Sequence, residues 1–221
     1  MLSSIIKKPG ADFVDFTDVS LESLGGHMLF GEIDSDMSKA ASAFIIKGNY
    51  MFPKQEVLTI FLNTPGGSCS DAFALIDVME SSRMKISTVS VGLIASMGVL
   101  IACAGSKGHR VVTKNTEIMA HQFSTEMGGK LHELVAATEA MRQYEALFLR
   151  HFLKHTTMTE RQIRDVLFSP SDRWLTPGEF KKYGLCDSVV ESLPEATPLR
   201  ESSPPALPPA PSAVSRRRAK R

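Results

Sequence analysis

The sequence predicts an α/β fold with a mainly parallel sheet. Three observations predict it. Strand and helix patterns alternate from His27 onward, as in chains built from βαβ units. The run Val57-Leu58-Thr59-Ile60-Phe61-Leu62-Asn63 is apolar except at Thr59 and Asn63, as expected of a buried parallel strand. The β-branched alternation of Lys85 to Val91 leads through Gly92-Leu93-Ile94-Ala95-Ser96 into Met97-Gly98-Val99-Leu100-Ile101-Ala102-Cys103-Ala104. That last run reads as a buried helix closed by Gly105.

The elements follow in order. Residues 1–26 have weak periodicity; Phe13, Val14 and Phe16 suggest a short strand, and Leu24-Gly25-Gly26 a turn. His27 to Gly31 is the first firm strand. Asp34-Ser35-Asp36 offers N-caps to a helix with Met37, Ala40, Ala41, Phe44 and Ile45 on one face. After the strand 57–63, Thr64-Pro65-Gly66-Gly67-Ser68 is a turn, and a helix covers Asp71 to Glu80. Two short strands, His109–Thr113 and Glu117–His121, flank a turn at Lys114-Asn115-Thr116. Phe123 to Lys130 is a turn-rich break with Gly128-Gly129. The helix beyond it places Leu131, Leu134, Val135, Thr138, Met141, Leu149 and Phe152 near one face. Packing on its own domain and docking on another subunit are equally compatible with that face.

Two capping boxes follow, Thr159-Glu160-Arg161-Gln162 and Thr176-Pro177-Gly178-Glu179, the second with proline at the first helical position. Leu185 to Val190 returns to strand. Residues 191–221 are rich in proline and end in Arg216-Arg217-Arg218-Ala219-Lys220-Arg221, the composition of a disordered segment with a basic end.

Composition narrows the function classes. The 221 residues suit one domain with a tail, and 43% are hydrophobic, enough for a substantial core. The net charge of +1 gives no general bias toward nucleic acid or anionic membranes. Cys69, Cys103 and Cys186 are an odd number without C-x-x-C spacing and read as reduced core thiols. No apolar run is long enough to span a bilayer, and the first residues lack a signal-peptide pattern. A cytoplasmic location is expected.

Ser96 falls at a strand-to-helix turn, where free N–H groups and the positive helix end favour a developing oxyanion. Taken alone it reads as a plain N-cap, the commoner role of a serine before a helix. A serine nucleophile needs a base. His132, His151 and His155 read as surface residues of the long helix, and His27 and His109 begin strands. His121 ends a strand just before a loop, where parallel α/β sheets build their sites. A carboxylate should orient it. Asp172 lies in a loop before the Thr176 helix; Asp165, within a helix, is the fallback, and Asp187 lies beside a strand. The turn Gly66-Gly67 and the start of the Met97 helix offer backbone N–H donors.

Several segments, in this order, resemble the ClpP family of serine peptidases. They are Phe61-Leu62-Asn63-Thr64-Pro65-Gly66-Gly67, Ala95-Ser96-Met97-Gly98, Ala104-Gly105-Ser106-Lys107-Gly108, and Asn115 through Met119-Ala120-His121-Gln122. Asp172-Arg173-Trp174-Leu175-Thr176 and Tyr183-Gly184-Leu185-Cys186-Asp187 complete the set. The resemblance spans residues 27–190 and implies a crotonase/ClpP-like fold of repeated β-β-α units with a protruding handle helix. It implies Ser96 as nucleophile, His121 as general base and acid, and Asp172 as orienting carboxylate. It implies the Gly67 and Met97 N–H groups as the oxyanion hole. It further implies a serine endopeptidase working on unfolded proteins inside a chamber of two stacked heptameric rings. No metal or organic cofactor is required in this chain. ATP belongs to a separate AAA+ unfoldase, in keeping with the lack of a GxxxxGK(S/T) phosphate loop. No membrane role is expected, and nucleic acid only through a weak contact of the basic tail. The competing readings are a crotonase-type acyl-CoA enzyme and a non-catalytic ring subunit.

Overall fold

Strand β1 (Gly26–Phe30) lies parallel to β2 (Val57–Thr64), and β2 lies parallel to β3 (Lys85–Ala95). Between them run helices α1 (Ser35–Met51) and α2 (Cys69–Ser81). The chain continues through α3 (Met97–Ala104), β4 (Arg110–Thr113), β5 (Glu117–Ala120) and the long α4 (Leu131–His155). It ends in α5 (Glu160–Val166), β6 (Arg173–Leu175), α6 (Pro177–Lys182) and β7 (Ser188–Val190). This is a computed structural model describing residues 20–52, 56–122 and 129–193. The expected strand near Phe13, most of the 123–130 break and the tail from residue 194 lie outside the described residues.

The main sheet has the order β1-β2-β3-β4-β7, and β5 pairs with β3 and β6. Every pairing is parallel except β5 with β6. The expected α/β fold of the crotonase/ClpP type is therefore the one observed. β6 was not legible in the sequence. It is three residues long, two of them exposed, and carries no alternating pattern.

Capping signals fix several helix starts. Asp34 Oδ1 accepts from Met37 N–H at 2.8 Å, and both predicted capping boxes form. The core lies between the sheet and helices α1, α2 and α3. It joins Leu29, Ile45, Leu62, Leu75 and Ile86 with the whole of α3, all of whose residues are buried. Ala40, expected on the inner face of α1, is exposed instead, because the helix buries Ser38, whose hydroxyl donates to Asp71 O at 2.7 Å. β2 is fully covered on one face only. Leu58, Ile60, Leu62 and Thr64 are buried, while Val57, Thr59, Phe61 and Asn63 are half-buried. The three helices lie over the first face, and the second continues into exposed Met28 and Phe30 of β1.

A bulge in β3 positions everything downstream. From Ser90 to Ile94 the strand advances four residues while β2 advances two, from Leu62 to Thr64. Gly92 makes the bend at φ 64°, and Asn63 Oδ1 accepts the Leu93 N–H at 3.1 Å, replacing a lost ladder bond. Before the bulge β3 pairs with β4; after it, with β5. Thr116 Oγ1 closes the gap by donating to Ser90 O at 2.9 Å.

α4 divides into two parts. Phe148, His151 and Phe152 are its buried residues, whereas Leu131 is 79% and Val135 62% exposed. The first half projects from the body as a handle. His151, expected on the surface, is buried against α3, where its Nε2 lies 3.0 Å from Leu100 O. The charged neighbours that suggested a surface site lie on the other faces of the same helix. Below it, Arg110 Nη1 donates to His155 O at 2.6 Å, and the Arg110 guanidinium grips Asp187 (Nη2–Oδ1 2.5 Å, Nε–Oδ2 3.0 Å).

Candidate active site

Ser96 stands between β3 and α3 at φ 53°, ψ −122°. It is the one non-glycine residue with positive φ among the described residues. Such a conformation costs on the order of 1–3 kcal/mol and persists only when its surroundings impose it. Here both flanks impose it. The Ser96 N–H donates to Met119 O at 2.9 Å, and its carbonyl accepts from Val99 N–H at 3.0 Å. The side chain makes no helix-cap hydrogen bond. Ser96 is thus an N-cap by position but not by bonding, and its hydroxyl stays available.

Two glycines allow the neighbouring turn to lie against this elbow. A Cβ on Gly66 would stand 2.6 Å from Ser96 Cβ and 2.9 Å from Ala95 O. A Cβ on Gly67 would meet Ile33 O at 2.3 Å. Ile33 bridges this turn in parallel fashion, donating to Gly66 O and accepting from Ser68 N–H, each at 2.8 Å. In a parallel bridge those two bonds serve the Ile33 side, so the Gly67 N–H points the opposite way. The Met97 N–H opens α3 and has no acceptor within its helix. Gly98 completes the packing: a Cβ there would meet Thr64 Cγ2 at 2.6 Å.

Ser96, Met97, Gly67 and His121 line one cleft of about 100 Å³. His121 directly follows β5 and is half-buried. The opposite wall is apolar, from Phe148 and Phe152 of α4 with Leu167 and Phe168 beyond α5. The sequence did not mark these four as site residues. Their only signal was an apolar pattern that reads equally as core. Cys69 also borders the cleft, and burial raises its thiol pKa.

The three carboxylates have different surroundings. Asp165 is exposed on α5 and faces Arg161 at 3.6 Å. Asp187 is held by Arg110 and by the N–H groups of Gly108 and Arg110. Burial pushes its carboxyl up, but the Arg110 bonds outweigh this and hold it below the ordinary range. Asp172 is exposed, immediately before β6. The β5–β6 register pairs Ile118 with Leu175, Met119 with Trp174 and Ala120 with Arg173. His121 and Asp172 each lie one residue beyond the last registered pair. No hydrogen bond joins Ser96, His121 and Asp172 in this single chain. Residues 123–128, which follow the histidine, lie outside the described residues.

The parallel sheet bent at a bulge, the apolar helix α3 and the strained serine before it define a crotonase/ClpP-like α/β protein. The family described as Clp protease matches residues 21–193. ATP-dependent Clp protease proteolytic subunit 2 of Thermobifida fusca is 33% identical over 144 residues, 65% of this chain and 70% of the relative. Proteolytic subunit 3 of Rhodococcus jostii is 30% identical over 171 residues, covering 77% and 83%. Chloroplastic proteolytic subunit 3 of Arabidopsis thaliana is 33% identical over 150 residues, covering 67% of this chain and 48% of the relative. The chain belongs to the Clp protease family.

Proposed function

We propose that this chain is a serine endopeptidase acting on unfolded polypeptides, with Ser96 as nucleophile, His121 as base and acid, and Asp172 orienting His121. The observation that carries the reading is the strained Ser96 elbow, whose free hydroxyl shares one cleft with His121, Gly67 and Met97. Ser96 Oγ attacks the peptide carbonyl carbon while His121 takes its proton. The resulting oxyanion accepts from the Gly67 and Met97 N–H groups. His121 passes the proton to the leaving amine, and water activated by His121 then hydrolyses the acyl-enzyme ester. No step calls for a metal or organic cofactor. Phe148, Phe152, Leu167 and Phe168 provide a wall suited to an apolar substrate side chain.

The assembly belongs to the same proposal. The exposed apolar positions Leu131 and Val135 on the handle, and Met28 and Phe30 on β1, fit burial between copies. They support stacked heptameric rings enclosing the Ser96 sites, supplied by a separate AAA+ unfoldase that spends the ATP. Among the described residues no helix is long and apolar enough to cross a membrane. A cytoplasmic location accords with that and with the three free cysteines.

The open spacing of the three side chains favours one other reading, a non-catalytic ring subunit. Catalytic hydrogen bonds are often long without substrate, so the peptidase remains the conclusion. Labelling of the native assembly with a fluorophosphonate, followed by mass measurement, tests it. One adduct per chain, lost in Ser96→Ala with assembly mass unchanged, is the expected result. Unlabelled wild-type rings would establish the non-catalytic subunit.

A further inference from the structure

Beside the cleft, where the last turns of α4 meet α2 and α3, three side chains converge. One ligand atom from each of Glu80, His151 and His155 lies within 4.8 Å of the other two. His155 Nε2 is 2.7 Å from Glu80 Oε1, and the two imidazole rings are 4.6 Å apart between centroids. The geometry points to a binding site for a divalent transition metal of the zinc class, formed by Glu80, His151 and His155.

The donor set fits the chemistry. Two imidazoles and a carboxylate, with a fourth position for water, are ligands that zinc accepts in tetrahedral geometry. The two histidines are four residues apart on one helix, a spacing that presents both to a single ion. Glu80 comes from α2 and makes the site a link between two elements. His151 also has the outer contact that metal-bound histidines use. Its Nε2 lies 3.0 Å from the carbonyl oxygen of Leu100, to which an Nε2–H donates. That bond fixes the tautomer and leaves the Nδ1 lone pair for a ligand. Cys103 Sγ also lies 3.3 Å from His151 Nε2, the nitrogen that faces Leu100 O, and it is not part of the three-residue cluster.

Geometry and charge set two conditions. Neighbouring ligands around tetrahedral zinc stand about 3.3 Å apart, from metal–ligand bonds of about 2.0–2.2 Å. The 2.7 Å Glu80–His155 pair must therefore open while wider separations within the 4.8 Å cluster close, which exposed Glu80 and half-buried His155 can do by side-chain rotation. Lys154 Nζ binds Glu80 Oε2 at 2.5 Å, and its positive charge opposes the ion. The other oxygen, Oε1, already faces His155 and is the one left for metal. Bound zinc would fix the last turns of α4, which carry Phe148 and Phe152, against α2.

The test is calorimetric titration of Zn2+ into the full chain after chelator treatment, in the Ser96→Ala background, with Co2+ absorption as a second readout. One ion per chain and the visible bands of tetrahedral Co2+ are expected. Glu80→Gln, at an exposed position, and His155→Gln, at a half-buried one, should each weaken binding at least about 10-fold with an unchanged circular dichroism spectrum. Lys154→Gln should tighten it. No binding, or equal binding in the Glu80 and His155 variants, overturns the site. Because the readout is metal affinity in a chain without its nucleophile, these outcomes are independent of whether the peptidase reading holds.

Discussion

A Cβ on Gly66 would stand 2.6 Å from the Cβ of Ser96. The turn after β2 therefore touches the elbow after β3, and the glycine is required by contact as well as by its φ of 102°. Gly66→Ala should lose about 2–4 kcal/mol of stability, from overpacking and from the positive φ together. Denaturant titration measures that loss. Fluorophosphonate labelling should fall with it, since a displaced turn moves the Gly67 N–H. An alanine variant of wild-type stability and labelling would show that this contact does not hold the elbow.

Strand pairing separates the candidate carboxylates. Asp172 and His121 each lie one residue beyond the Ala120–Arg173 pair, whereas Asp165 faces Arg161. Asp172→Asn should lower kcat/KM on a peptide substrate by about 10³–10⁴-fold, as loss of an orienting carboxylate does in serine peptidases. Asp165→Asn should leave it within about 2-fold. The reverse pattern in steady-state kinetics would transfer the role to Asp165.

The Arg110–Asp187 pair links the end of α4 to the strand β7 region. Asp187 is depressed in the folded chain: burial acts to raise it, and the Arg110 bonds override that. A depressed carboxylate contributes stability that is present above its unfolded value of about 4. That contribution disappears as pH falls through the folded value. Unfolding free energy measured from pH 6 downward should thus drop below about pH 4, and less steeply in Asp187→Asn. Arg110→Ala, which strands the carboxylate, should cost about 3 kcal/mol at neutral pH. A pH profile identical in wild type and Asp187→Asn would contradict the linkage.

The exposed face of the handle gives an assembly prediction. Leu131→Asp combined with Val135→Asp replaces side chains that touch no core. The circular dichroism spectrum and melting temperature of the dissociated subunit should be unchanged, because surface substitutions seldom exceed about 0.5 kcal/mol. Native mass measurement should show a smaller assembly than wild type. A full-size double-variant assembly would remove the handle from the contacts between copies.

Much of the fold was legible in local chemistry. Asp34, Thr159 and Thr176 cap their helices because a short oxygen-bearing side chain meets free N–H groups at that spacing. The apolar run 97–104 could only be a buried helix, and it is. Ser96, His121, Gly67 and Met97 each sit at a turn or strand end, a weak local signal, and were singled out by the resemblance of their segments to the family.

What the sequence by itself determined is the order of elements and the identity of these polar groups. Tertiary structure alone decided which of them meet. β6 has no pattern of its own and becomes a strand only by pairing with β5, and Asp172 directly precedes the last pair of that ladder, Ala120–Arg173. The Asn63–Gly92 bulge depends on two strands agreeing to disagree in register. His151 looked like a surface residue because its neighbours are charged, yet the packing of α4 on α3 buries it beside Leu100. Local propensity acts over a few residues, and it cannot express a contact between groups that are fifty positions apart until the chain has closed.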